Sequence, residues 1–108
     1  MQTFSETGLK PEILESIHKL GFIAPTPIQS KTIPFLLESD EDLVAMAQTG
    51  TGKTAAFGLP LLHKMDTNSQ GIQTIILCPT RELCLQITND LKNFTGTLPI
   101  SVVPVYGG

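Results

Sequence analysis

Apolar positions follow a helical spacing in four stretches of this chain and a strand-like pattern in three others. Ile13, Leu14, Ile17 and Leu20 recur at helical intervals. Pro11 suits the opening of that helix and Gly21 its end, so the spacing predicts a helix over 11–20. The stretch Gly21-Phe22-Ile23-Ala24-Pro25-Thr26-Pro27 must then be extended, because a residue before proline avoids the helical region. Thr26, Pro27 and Gln29 form a capping-box start for a second helix. It runs toward Leu37 and is expected to be disturbed at Pro34. Ser39-Asp40-Glu41-Asp42 reads as a solvated acidic turn. A third helix is expected from Lys53 to about Met65, with a kink or early break at Pro60, and a fourth from Arg81 to Phe94 carrying Leu83, Leu85, Ile87 and Leu91.

The strand-like runs are Leu43 to Ala47, Thr74 to Cys78 and Ile100 to Val105. The middle run is continuously apolar and reads as buried on both faces. Residues 67–73 between them are polar and read as a surface loop. Strands alternating with helices predict an α/β fold with a parallel sheet and right-handed crossovers.

Composition changes this picture little. A chain of 108 residues, 41% of them apolar, can build one modest domain. The net charge of −3 argues against a strongly basic nucleic-acid binder and leaves room for a local patch that contacts phosphates. No run of eighteen apolar residues could span a membrane. The first residues, Met1-Gln2-Thr3-Phe4-Ser5-Glu6, lack the basic and apolar regions of a signal peptide, so a cytoplasmic protein is expected. Cys78 and Cys84 read as buried free thiols rather than a disulfide or metal pair, and His18 and His63 as ordinary helix positions. There are no internal repeats and no visible domain boundary.

The candidate chemistry lies at Ala47-Gln48-Thr49-Gly50-Thr51-Gly52-Lys53-Thr54, directly after the apolar run Leu43-Val44-Ala45-Met46. A strand turning through glycines into a helix is the setting of a phosphate-binding loop. Gly50 and Gly52 let backbone N–H groups approach an anion. Lys53 adds a point charge for the β and γ phosphates, and the Thr54 hydroxyl is placed to ligate Mg²⁺. The helix N-terminus adds a partial positive charge. The usual G-x-x-x-x-G-K-[ST] pattern fails at one position, where Ala47 stands in place of glycine.

Three segments taken together narrow the family. They are Phe4 with Gly21-Phe22-Ile23-Ala24-Pro25-Thr26-Pro27-Ile28-Gln29, the phosphate loop, and Pro79-Thr80-Arg81-Glu82-Leu83 followed by Gly107-Gly108. Their order and spacing resemble the amino-terminal part of a DEAD-box ATP-dependent RNA helicase, over essentially the whole chain. In that family the loop typically begins with Ala, as here at Ala47. The resemblance implies a three-layer RecA-like fold with a parallel sheet, of which about three strands are present. It also implies that residues 1–108 form the amino-terminal portion of the helicase ATP-binding domain, with ATP and Mg²⁺ as cofactors.

The resemblance assigns roles residue by residue. Gln29 is expected to read adenine, because its amide offers one donor and one acceptor in a plane, complementary to N6 and N7. Guanine presents two acceptors there, so one contact would be lost. Phe22 is expected to stack on the base with Phe4 packed alongside. The loop residues Gln48, Thr49, Gly50, Thr51, Gly52, Lys53, Thr54 and Ala55 would surround the phosphates, Lys53 and Thr54 carrying the catalytic assignments and Thr54 the metal. Pro79, Thr80 and Arg81 would contact the RNA sugar–phosphate backbone, and Gly107 and Gly108 would let it approach closely. Such contacts are largely independent of base sequence and sensitive to salt. Plainer roles stand beside these: core packing for both phenylalanines, a helix cap for Gln29, an ion pair with Glu82 or another neighbour for Arg81.

The family's Asp-Glu-Ala-Asp and Ser-Ala-Thr segments and its second RecA-like domain do not occur in these 108 residues. Hydrolysis needs an acid to hold Mg²⁺ and orient water, plus arginines on the γ phosphate. The chain is therefore expected to be a fragment with little ATPase activity and no unwinding, and to self-associate through unpaired sheet edges. A non-catalytic ATP- or RNA-binding module is the alternative. A P-loop enzyme of another type fits the Gln29 segment less well.

Overall fold

The computed structural model describes residues 3–46 and 52–107. The expectations for Ala47, Gln48, Thr49, Gly50, Thr51 and Gly108 fall outside the described residues. A 3₁₀ turn over Phe4–Thr7 precedes four helices: α1 (Pro11–Lys19), α2 (Pro27–Glu38), α3 (Lys53–Lys64) and α4 (Arg81–Thr95). The expected helices are all present, with ends shifted by a residue or so. The 3₁₀ turn has no counterpart in the sequence reading.

Each helix buries a stripe that the spacing dictates. Ile13 and Ile17 of α1, Ile33 of α2 and Leu59 of α3 are at most 1% exposed and meet Leu62, Leu91 and Phe94 in a single core. Helix α2 packs on α3, and α4 packs on both α1 and α3. Gly58 sits where α3 meets α4, and a Cβ there would run into the Leu91 side chain. In α4 the buried face is Ile87, Leu91 and Phe94, a stride of four and three, while Leu83 and Leu85 each remain 37% exposed. Leu20 is likewise 44% exposed, because the helix ends before it reaches the core face.

Of the kink or early break expected at Pro60, the break does not occur: the helix continues through it to Lys64. A proline removes the amide that would bond the carbonyl four residues back, here that of Ala56. The Thr32 hydroxyl on α2 supplies a donor to that oxygen at 3.2 Å. It also lies 2.8 Å from the carbonyl of Ile28 in its own helix. Pro34 is likewise contained within α2.

The three strand-like runs lie outside the helices. Among the described residues no strand pairing occurs, and 42–46, 72–78 and 99–107 run without ladder hydrogen bonds. Their side chains nevertheless alternate as an extended chain does. Ile76, Ile100 and Val102 pack on the helical core, whereas Ile75, Leu77, Val103 and Val105 are 73–90% exposed. The run 74–78 is therefore covered on one face, not two: among the described residues the helices supply a single apolar surface and nothing lies against the other. No helix among the described residues is long and apolar enough to cross a membrane.

Candidate nucleotide and nucleic-acid sites

The start of α2 builds the first site. Thr26 caps the helix by accepting a long bond from the Gln29 amide nitrogen at 3.4 Å, while Gln29 Oε1 accepts from the Thr26 nitrogen at 2.9 Å. This is the expected capping box. The other end of the same side chain, Gln29 Nε2, donates to the carbonyl of Gly52 at 3.2 Å. Gly52 is the N-cap of α3, and its carbonyl also accepts the Ala56 amide at 3.1 Å. One buried amide, 3% exposed, thus ties together the beginnings of two helices.

Gly52 has no freedom to be another residue. Its φ of 83° lies in the left-handed region, and a Cβ there would collide with the Gln29 amide. The conformation turns the chain sharply into α3, leaving Lys53 exposed, Thr54 half-buried and Ala55 buried against the core. With glycine at the cap, no cap side chain bonds to the first-turn N–H groups of α3. That is the arrangement a phosphate group requires: close backbone, a helix N-terminus, a lysine and a hydroxyl within three successive residues. No cluster of three or more His, Cys, Asp or Glu side chains suited to a metal exists among the described residues.

Phe22 is half-buried between two rings, 5.8 Å from Phe4 at 47° and 5.8 Å from Phe94 nearly edge-on at 77°. Phe4 is 5% exposed and belongs to the core. Beside Lys53, Ile28, Thr32, Leu43, Ala56 and Phe57 line a mostly apolar cleft of about 490 Å³.

The second site lies where the extended run 72–78 enters α4. Pro79, Thr80 and Arg81 are all exposed. The Thr80 hydroxyl caps α4 by accepting from the Leu83 amide at 3.1 Å. Arg81 makes no ion pair among the described residues, with Glu82 or any other carboxylate. Its guanidinium instead lies over the Tyr106 ring, 5.4 Å from the centroid. Gly107 follows directly, and a Cβ there would meet nothing within 4 Å. Tyr106 was not singled out in the sequence; an aromatic residue beside Gly107-Gly108 was the available signal.

Cys78 and Cys84 are free and half-buried. Burial pushes the Cys78 thiol up, with the neighbouring Cys84 adding to the shift. His63 serves structure: its Nδ1 accepts the Lys10 amide, at the N-cap of α1, at 3.1 Å. Burial, with Lys10 and Lys64 nearby, lowers its pKa below the ordinary 6.5.

Comparison with known proteins bears on both sites. The family model described as DEAD/DEAH box helicase matches residues 26–108. The ATP-dependent RNA helicase CshA of Listeria monocytogenes is 50% identical over 108 residues, all of this chain and 21% of that protein. The chain thus spans about a fifth of the length of the curated relatives it matches. Among solved structures, the RNA helicase Prp28 of Chaetomium thermophilum bound to ADP superposes with a TM-score of 0.88 at 40% identity, covering 100% of this chain and 27% of that one. Dbp5 of S. cerevisiae bound to RNA and ADP BeF3 gives 0.84 at 36% identity, covering 88% of this chain and 25% of that one.

Proposed function

The chain belongs to the DEAD/DEAH box helicase family, and from that premise we propose that residues 1–108 are the amino-terminal portion of a helicase ATP-binding domain. In this reading the three extended segments are parallel strands of a three-layer RecA-like sheet. The protein that contains the domain is a cytoplasmic ATP-dependent RNA helicase, coupling RNA-stimulated ATP hydrolysis to local strand separation. These 108 residues alone bind nucleotide at most.

The observation that carries the reading is the bond from Gln29 Nε2 to the Gly52 carbonyl. It sets an adenine-reading amide one residue away from the lysine that would meet the phosphates. A primary amide has two N–H groups and two acceptor positions on its oxygen. Among the described residues the capping box and Gly52 use one of each, which leaves one donor and one acceptor for a base edge. Phe22 flanks the base and Phe4 supports Phe22. The loop residues Gln48, Thr49, Gly50 and Thr51, with Gly52 and Ala55, enclose the phosphates.

The residues present fit ATP with Mg²⁺, since Gly52 gives close backbone access and Lys53 and Thr54 open the helix. Bound Mg²⁺ would neutralise phosphate charge, with the Thr54 hydroxyl as one ligand. Lys53 would hold the β and γ phosphates. At the second site, Pro79, Thr80, Arg81, Gly107 and Gly108 contact RNA backbone. Calorimetric titration with ATP and with GTP, on the parent chain and on Lys53→Ala, tests the proposal. Selective ATP binding that Lys53→Ala abolishes is the expected result.

A further inference from the structure

The contact between Arg81 and Tyr106 joins two segments 25 residues apart, one at the start of α4 and one directly before Gly107. Arg81 has no carboxylate partner among the described residues, and both side chains reach solvent, Tyr106 at 50% exposure. A long exposed arginine samples many rotamers, and fixing it for a contact costs entropy. A ring under the guanidinium restricts it at little cost, because the π face attracts the cation without using its hydrogen-bonding edge. The five N–H donors lie in the guanidinium plane and stay available for two oxygens of one phosphate.

We infer that Tyr106 is a positioning residue for nucleic acid: its ring holds the Arg81 guanidinium so that the N–H edge meets a backbone phosphate of single-stranded RNA. The inference rests on the proposed RNA role of this edge and adds a residue to it. Tyr106 acts through Arg81, not through a base. Phenylalanine would serve nearly as well, since the ring face and not the hydroxyl makes the contact.

Fluorescence anisotropy of a labelled single-stranded oligouridylate across a salt series, on the whole helicase that contains these residues, tests it. Tyr106→Ala is expected to weaken binding about two- to fivefold, the range of an exposed cation–π contact, and Tyr106→Phe to stay close to the parent. Both Arg81→Ala and Tyr106→Ala should flatten the salt dependence, by about 0.7 in log–log slope for one lost phosphate contact on a single strand. The double variant should bind no more weakly than Arg81→Ala alone. Thermal unfolding of each variant confirms that it is folded.

If Tyr106→Ala binds as the parent does while Arg81→Ala is weakened, the positioning role is overturned and the RNA reading of the edge stands. If Tyr106→Ala lowers affinity with an unchanged salt slope, or adds to Arg81→Ala, the ring stacks on bases and the positioning role is again overturned. If Arg81→Ala has no effect, or the parent helicase binds no RNA, the reading of the edge fails and the inference with it.

Discussion

Gln29 and Gly52 are joined by a side-chain-to-backbone hydrogen bond of 3.2 Å across the space between two helix N-termini. The glutamine is rooted in its own helix by the capping box, so it holds the Gly52 peptide from a fixed base. The orientation of that peptide sets where α3 begins and therefore where Lys53 and Thr54 point.

Substituting Gly52 should damage both stability and nucleotide binding. Alanine there must occupy a left-handed conformation and displace the Gln29 amide. Backbone strain of this kind costs about 1–3 kcal/mol. Urea unfolding should show Gly52→Ala destabilised by that order. A variant as stable as the parent would show that the peptide is free to turn.

Thr32 should be coupled to Pro60. Thr32→Val removes the one hydroxyl proton that the Ala56 carbonyl shares with the Ile28 carbonyl. The expected loss is about 1–3 kcal/mol in urea unfolding. Pro60→Ala restores an amide to that carbonyl, so the double variant should recover much of the loss. Simple additivity of the two changes would refute the compensation.

His63 predicts a pH dependence of stability. Its folded pKa lies below the unfolded value of 6.5, because burial and two lysines favour the neutral ring. Between the two values the unfolded state binds more protons, so stability rises with pH. The contribution is complete above 6.5 and is lost as pH falls from 6.5 through the lowered folded value. Thermal midpoints measured across this window should fall with acidity in the parent and less steeply in His63→Gln. Identical slopes would contradict the assignment.

The uncovered face of the extended segments predicts self-association of the isolated chain. Val44, Met46, Ile75, Leu77, Val103 and Val105 are 73–91% exposed. Sedimentation velocity should show concentration-dependent association, suppressed by Leu77→Lys with Val105→Lys. A sharp monomer peak at all concentrations would count against it.

Helices and caps were legible in the sequence because their signals are local. Pro11 and Pro27 at helix openings and the Thr26–Gln29 box each act within one turn. What was misread depends on distant partners. Pro60 looks like a breaker until Thr32, 28 residues away, supplies the missing donor. The run 74–78 has the same composition whether one face or two are covered, and only the surrounding layers decide. The Gln29 cap is local, whereas the second bond of its side chain, to Gly52, joins residues 23 apart. Tyr106 escaped notice because its meaning lies in Arg81, far away along the chain.

The central claim is that Gln29 selects the base while it orders the start of α3. Calorimetry with ATP and GTP on the parent, Gln29→Ala and Gln29→Glu tests it most directly, with circular dichroism as the control for folding. Gln29→Glu keeps an acceptor for the Thr26 amide but has no Nε2 to donate to Gly52 or to a base. The account predicts saturable ATP binding by the parent, no binding of GTP, and loss of ATP binding in both variants while they remain folded. Equal binding of ATP and GTP by the parent, or undiminished ATP affinity in folded Gln29→Glu, would contradict it.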